Sequence, residues 1–140
     1  MAALPSGLDE IVADDEDIAR FLTQRSHFSR EIAKPAAFLP HSVDRETSVA
    51  RHGLDPAERL SEIGSVAAGG RTLYGAAIIK AEAVGAARLK IVSSEPPPRH
   101  AAIRGWPCPD DADLRKAQQK ERAIVLASRT TALVFFGITS

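Results

Sequence analysis

The chain has little or none of several features on which common functions depend. Its 140 residues include one cysteine, Cys108, which excludes an internal disulfide and a zinc site built from cysteines. The 18 basic residues balance 18 acidic ones, so the net charge gives no general attraction to nucleic acid or membranes. The longest apolar run near the C-terminus, 132–138, is too short to cross a bilayer, and residues 1–17 lack a basic start followed by an apolar segment. These absences predict a soluble cytoplasmic protein.

The familiar signatures of phosphate and metal sites are also missing. Neither GxxxxGK[ST] nor GxGxxG occurs. The Gly69-Gly70 pair follows a predicted helix, whereas phosphates bind at helix N-termini, so the pair is typical of a C-cap. No two of the four histidines share a predicted helix face at the spacing that zinc requires. The sequence therefore predicts no cofactor, no metal and no catalytic residue, which favours a protein without enzymatic activity and leaves an enzyme open.

Length and composition predict one folded domain. The chain is 44% hydrophobic and 26% charged, which is ordinary for a globular protein. Residues 1–13 are small, acidic and without a regular period, so we expect a flexible acidic tail there and a single domain over 14–140. The abundance of alanine and arginine indicates a GC-rich bacterial genome.

Three segments have helical patterns. A first helix is predicted from Asp14 or Asp15, because Ile18, Phe21 and Leu22 fall at helical spacing. The second has the strongest signal: the run 55–58 supplies an aspartate cap, a proline at the first helical position and a glutamate three residues after the cap. The third, over 110–127, begins with acidic and continues with basic residues, as the helix dipole prefers.

Several short apolar segments predict strands. The clearest are 47–52, 73–80, 89–93 and 101–104, and we expect 73–80 and 89–93 to be neighbours joined by a short helix or turn. Prolines on both sides of 34–40 favour an extended edge segment, and 131–136 fits either a last strand or the frayed end of a helix. The predicted fold class is α+β, a small single domain with a short, mostly antiparallel sheet packed by two or three helices.

The candidate binding residues centre on the segment 96–107. Three prolines there limit backbone freedom ahead of Arg99 and His100, so ordering these two side chains around a ligand costs little extra entropy. An arginine can hold a phosphate or carboxylate with two hydrogen bonds, and a histidine adds a titratable donor. Trp106 offers a flat face for a base, a sugar or a partner side chain, or else it is the central aromatic residue of the core.

Two further neighbourhoods complete the candidate ligand- or partner-binding set. On a strand over 47–52, Ser48 and His52 share one side while Arg51 points to the other. Lys34 and His27 lie in a basic stretch that fits a solvated surface as well as a binding site.

Three segments of the chain resemble those of a known group of proteins. They are His27-Phe28-Ser29, the run KPAAFLP at 34–40 and the run RHAAIRGWP at 99–107. With Ser48, Arg51 and Gly53-Leu54 they resemble short bacterial proteins that share a KPxAFxP … RHAxIxGWP pattern, stand alone as single domains and accompany mobile or defence-related genes. The resemblance spans about residues 15–130 and implies a shared fold without an activity.

Three functions follow as hypotheses. The first is a binding or adaptor protein that acts as an accessory component of a defence or mobile-element operon and contacts another protein of that operon, because no catalytic constellation is present. The second is a phosphate- or nucleotide-recognising enzyme or sensor that uses Arg99 and His100. The third is a nucleic-acid-associated factor, which needs its basic residues gathered on one face.

Overall fold

A computed structural model describes residues 8–51, 57–95 and 99–136, and its central element is an antiparallel sheet. The elements are β1 Asp17–Leu22, β2 Phe28–Ser29, β3 Ile32–Ala33, β4 Thr47–Arg51, α1 Ala57–Ala68, β5 Gly75–Lys80, α2 Ala81–Ala86, β6 Lys90–Ser93, β7 His100–Arg104, α3 Ala112–Ser128 and β8 Ala132–Phe135. The strand order in the sheet is β6-β7-β4-β1-β5-β8, and β2 and β3 form a separate hairpin. In this part of the chain three helices accompany the strands, which confirms the predicted α+β class.

Both faces of the sheet are covered. Side chains alternate along each strand, so neighbouring residues belong to different core clusters. Ile18 and Leu22 of β1 join the larger core cluster, which includes residues of α2 and α3 and which we call the α2/α3 face. Ala19 and Phe21 join a smaller cluster with Leu60 of α1, on what we call the α1 face. Any side chain on a central strand is therefore assigned to one of two distinct environments.

The prediction of a helix from Asp14 or Asp15 is wrong. Residues 17–22 form β1, the strand between β4 and β5. A strand with both faces covered has consecutive apolar residues instead of alternation, so Ile18, Phe21 and Leu22 satisfy a helical spacing by coincidence. Long-range pairing with β5 over the full strand length decides the outcome.

Two other local expectations also need correction. Residues Pro35–Ala37 form a single 3-10 turn instead of an extended edge, because a proline fits the first position of a helical turn as well as an edge strand. The strands β5 and β6 are not neighbours, since β1, β4 and β7 lie between them. The connection through α2 crosses the α2/α3 face, where it buries Ala81 and Val84.

The remaining elements agree with the sequence patterns. Helix α1 ends at Ala68, and Gly69 follows it with a φ of 62°, the left-handed conformation that a glycine C-cap supplies. Helix α3 starts after Asp111, whose carboxylate accepts a hydrogen bond from the Leu114 amide at 2.8 Å. Strand β8 resolves the open choice at 131–136 in favour of a strand.

Some predicted features lie outside the described residues. They are the cap at Asp55-Pro56, the triproline run 96–98, His52 and the first seven residues of the expected tail. Within the described part of that tail, the Glu10 carbonyl accepts a hydrogen bond from the Ser93 hydroxyl at 2.6 Å. Among the described helices, none is long and apolar enough to cross a membrane.

Candidate functional site

A cavity of about 340 Å³ lies between helix α1 and the sheet. Its walls are largely apolar, with Phe21 from β1 on one side and Ile63 and Val66 from α1 on the other. We call it the helix cavity. Its volume is in the range that holds a small organic molecule. Its polar lining consists of Arg20, Thr23, Ser48, Glu62, Arg71 and His100.

A second cavity, of about 430 Å³, adjoins the first and has a more polar lining. We call it the loop cavity, because the segment between β3 and β4 forms much of its wall. Arg20, Thr23, Ser48 and Arg71 line both cavities and therefore mark the place where the two meet. The loop cavity is otherwise lined by Gln24, Ser26, His27, Ala36, Leu39, His41, Asp44 and Glu46.

The meeting place exists because strands β1 and β4 separate there. The two strands pair through Ile18 with Arg51 and through Ala19 with Ala50. At the next residue, hydrogen bonds from the Arg20 side chain replace those between the strand backbones. Its Nε donates to the Ala37 carbonyl at 2.6 Å and its Nη1 donates to the Ser48 carbonyl at 2.9 Å. The arginine thus satisfies the Ser48 carbonyl of β4, which faces the gap between the strands, and ties it to the Ala37 carbonyl of the 3-10 turn.

Arg71 reaches the same place from the end of helix α1. Its Nε donates to the Ala68 carbonyl at 3.0 Å, and its Nη2 donates to the Ala67 carbonyl at 3.2 Å. A cation at this position is favoured, because the last carbonyls of a helix carry partial negative charge. Two arginines therefore share the junction of the cavities, and each is held there by protein carbonyls.

Positive charge accumulates where the two cavities meet, because Arg20 and Arg71 both lie there. Burial, followed by the nearby Arg71, lowers the pKa of Arg20 to about 10. Burial, followed by Arg20 and then Arg71, lowers the pKa of His27 to about 4. Among the described residues, no carboxylate contributes to either shift. A bound anion at this junction would be stabilised by both arginines.

His27 is neutral at physiological pH and has a defined tautomer. Its side chain is buried, and its Nδ1 accepts a hydrogen bond from the Thr23 amide at 3.3 Å. An acceptor nitrogen carries no proton, so the proton of the neutral ring is on Nε2. The ring lines the loop cavity and is assigned there as a hydrogen-bond donor.

We expect protonation of His27 to destabilise the fold in acid. Its pKa of about 4 lies below its ordinary value of 6.5, so the unfolded chain takes up the proton first as the pH falls. The free energy of unfolding is constant above pH 6.5, drops by roughly 3 kcal/mol as the pH falls toward 4, and levels off below pH 4. Urea unfolding at several pH values measures the drop.

Two histidine variants isolate this effect from the titration of carboxylates. His27→Gln should remove the drop between pH 6.5 and 4, because no ring is left to protonate. His41→Gln is the matched control, since His41 is exposed and should leave the profile unchanged. An identical pH profile for the wild type and His27→Gln would contradict the assignment.

Ser48 and His100, both proposed from the sequence, lie together at the helix cavity. The register of β4 with β7 pairs Ala50 with His100 and Ser48 with Ala102. Ser48 and His100 are therefore diagonal neighbours on the same face of the sheet, and both line the cavity. The Nδ1 of His100 lies 3.1 Å from the Ser94 carbonyl, which fixes the orientation of the ring.

The structure does not bring Trp106 together with Arg99 and His100. Trp106 is 7% exposed and packs in the core of the α2/α3 face, where its indole nitrogen donates to the Ile103 carbonyl at 3.2 Å. His100 faces the opposite side of the sheet. The carbonyl of Arg99 accepts the Arg51 amide at 2.8 Å. Trp106 and His100, which were expected in one binding site over 96–107, therefore lie on opposite faces of the sheet.

Arg51 and Lys34 have positions unrelated to the two cavities. The Arg51 side chain is buried, and both of its hydrogen bonds to the Glu16 carboxylate are 2.6 Å long. Lys34 is exposed and precedes the 3-10 turn at Pro35–Ala37. Neither residue lines the helix cavity or the loop cavity.

Sequence reasoning missed the two arginines at the junction. Arg20 was the one charged residue in an apolar run that was assigned to a helix, and its position on a central strand was the missing information. Arg71 was passed over as part of a C-cap. A basic residue inside an apolar strand pattern is a usable signal, because such a residue needs a specific partner.

Comparisons with known proteins leave the function to be argued from the geometry. No family model, no curated protein and no solved structure matches the chain. Over residues 8–51, 57–95 and 99–136, no group of three or more histidine, cysteine, aspartate or glutamate side chains is arranged to hold a metal ion.

Proposed function

We propose that this protein binds a small organic anion with an apolar body. The observation that carries the proposal is the pair Arg20 and Arg71 at one end of an apolar cavity. Both guanidinium groups are anchored by backbone carbonyls, which are neutral acceptors and do not cancel the positive charge. The apolar part of the ligand would pack against Phe21, Ile63 and Val66, and the anionic group would meet the two arginines.

The energies of these contacts are consistent with a dissociation constant in the micromolar range. Each hydrogen bond from a charged donor contributes about 1.5–3 kcal/mol, and burial of a small apolar body adds a few kcal/mol at about 25 cal/mol per Å². The arginines are already positioned by Ala37, Ser48 and Ala68 carbonyls. Little side-chain entropy is therefore lost when the ligand binds.

The contacts at the cavity support binding more than catalysis. Ser48 and His100 are the nearest approach to a nucleophile and a base in the helix cavity. A base that activates a serine must be within hydrogen-bond reach of the hydroxyl. The described residues contain no Ser48–His100 hydrogen bond, although the two residues line the same cavity. We therefore favour a sensor or carrier of the anion over an enzyme.

Docking of a partner protein is a second candidate, and it is compatible with the first. Ile32 in β3 is 68% exposed, and Val43 in the segment between β3 and β4 is 82% exposed. This segment also supplies Leu39 and His41 to the wall of the loop cavity. A ligand in the cavity would thus contact the segment that offers these side chains to a partner.

A matched pair of fluorescent probes tests the proposal. Anilinonaphthalene sulfonate combines an apolar ring system with one anionic group, whereas phenylnaphthylamine has the same rings without the charge. We expect Arg71→Gln to weaken sulfonate binding about tenfold, the equivalent of about 1.4 kcal/mol, and to leave phenylnaphthylamine binding unchanged. Fluorescence titration measures both dissociation constants, and circular dichroism confirms that the variant folds.

Arg129→Gln is the matched control for charge. Arg129 follows the end of α3 as Arg71 follows the end of α1, but it lies outside both cavities. This variant should bind both probes like the wild type. The proposal is overturned if Arg71→Gln and Arg129→Gln bind the sulfonate equally well.

A further inference from the structure

The residues that the two cavities share restrict the ligand further than either cavity does alone. Arg20, Thr23, Ser48 and Arg71 line both of them. A molecule that occupies both cavities must therefore pass between these four residues. The chemistry of its middle section is set by what they offer.

The four residues offer hydrogen-bond donors and positive charge. A guanidinium has five N–H groups, and two from each arginine donate to carbonyls of described residues. Each arginine thus keeps three N–H groups that its contacts with the described residues do not use. Thr23 and Ser48 add side-chain hydroxyls. The middle section of the ligand should be a negatively charged group that only accepts hydrogen bonds.

A phosphodiester suits this position. It carries one negative charge on two free oxygens and continues in two directions through its ester oxygens. A sulfonate or a phosphate monoester has one attachment to the rest of its molecule, so the chain leaves it in one direction. The phosphodiester therefore meets both the charge and the connectivity.

The two cavities have different linings, so each cavity suits a different ester group of the ligand. The helix cavity is walled by Phe21, Ile63 and Val66, so it suits a flat or apolar group. The loop cavity is lined by Gln24, His27 and Asp44, whose side chains can form hydrogen bonds. Asp44 repels a second anion and accepts hydrogen bonds from hydroxyl groups. The second ester group should be neutral and hydroxyl-rich.

We infer that the ligand is a phosphodiester that joins an apolar or aromatic group in the helix cavity to a sugar or nucleoside in the loop cavity. The inference rests on the proposed function, because the same two arginines hold the anion. It adds the loop cavity as a second subsite and gives Ser48 and Thr23 a role in binding the bridging phosphate.

Two probes that differ by one ester group test the inference. The para-nitrophenyl ester of thymidine monophosphate carries an aryl group, a phosphodiester and a nucleoside, whereas para-nitrophenyl phosphate lacks the nucleoside. We expect the diester to bind about tenfold more tightly in isothermal titration calorimetry. Its advantage should come from the loop cavity.

Variants at residues that line each cavity test whether the tighter binding of the diester comes from the loop cavity. Ala36→Leu fills part of the loop cavity and should reduce diester binding to the level of the monoester, while monoester binding stays unchanged. Asp44→Leu, at an exposed position, is the second variant on that wall. Ala67→Leu narrows the helix cavity and should weaken both probes.

The outcomes separate the inference from the proposed function. Equal affinities for the two probes, with binding still dependent on Arg71, would overturn the phosphodiester inference and leave the anion site standing. A diester advantage that survives both Ala36→Leu and Asp44→Leu would also overturn it. If neither probe binds and Arg71→Gln has no effect on the sulfonate, the proposed function fails as well.

Discussion

Replacing Arg51 with methionine is expected to lower the free energy of unfolding by about 3–5 kcal/mol. The Arg51 side chain is 1% exposed, and its guanidinium meets the two oxygens of Glu16. These bonds hold the pKa of Arg51 above its ordinary value despite the burial. Without the arginine, the Glu16 carboxylate remains largely enclosed and has lost its counter-charge, and that desolvation accounts for most of the loss.

The same substitution should release the segment before β1. The Arg51 guanidinium also donates to the Asp9 carbonyl and, at 3.3 Å, to the Ser93 hydroxyl. The Ser93 hydroxyl in turn donates to the Glu10 carbonyl. Arg51 therefore ties three separate parts of the chain together. Amide hydrogen exchange should show faster exchange over residues 8–16 in the variant.

A double variant distinguishes loss of the ion pair from loss of packing. When a buried pair is replaced by apolar residues on both sides, the penalty for the stranded charge disappears. Arg51→Met with Glu16→Leu should therefore recover most of the stability that Arg51→Met loses, as measured by urea unfolding. A single variant that loses less than about 1 kcal/mol would show that Glu16 is well hydrated without its partner.

The substitution Trp106→Ala is expected to cost about 3–5 kcal/mol, which is typical for removal of a large aromatic side chain from a core. The ring packs on the α2/α3 face with Ile103 and Leu126, and its N–H donates to the Ile103 carbonyl. The variant lacks the only tryptophan, so circular dichroism should follow its unfolding.

Trp106→Phe is the informative companion to that variant. It keeps an aromatic ring in the core and removes the hydrogen bond, so the loss should fall to about 1–2 kcal/mol. Sulfonate binding should not change in Trp106→Phe, because the helix cavity lies on the other side of the sheet. A loss below about 0.5 kcal/mol for Trp106→Ala would contradict the core assignment, since that is the range for surface positions.

Local signals in the sequence were reliable where the structure depends on near neighbours along the chain. The glycine after α1 and the aspartate before α3 mark helix ends, because a cap is a contact within one turn. The strands at 75–80 and 100–104 were also predicted, since an apolar run between turn residues is itself a local pattern. The small α+β class followed from the succession of these elements.

The site was harder to predict, because it is made by residues far apart in sequence. Ser48 and His100 were proposed separately, and only the pairing of β4 with β7 places them at one cavity. Arg20 and Arg71 meet because β1 parts from β4 where α1 ends. Strand β1 itself was mistaken for a helix, since a strand covered on both faces has no alternation to reveal it.

By itself, the sequence determined the capped helices, most of the strands, the fold class and the lack of a familiar catalytic motif. The tertiary structure alone decided the strand order, the two faces of the sheet and, with them, the separation of Trp106 from His100. The physical reason is one of range. Caps and turns are fixed by contacts within a few residues, whereas the register between strands, which sets the face of every side chain, depends on pairings across the whole chain.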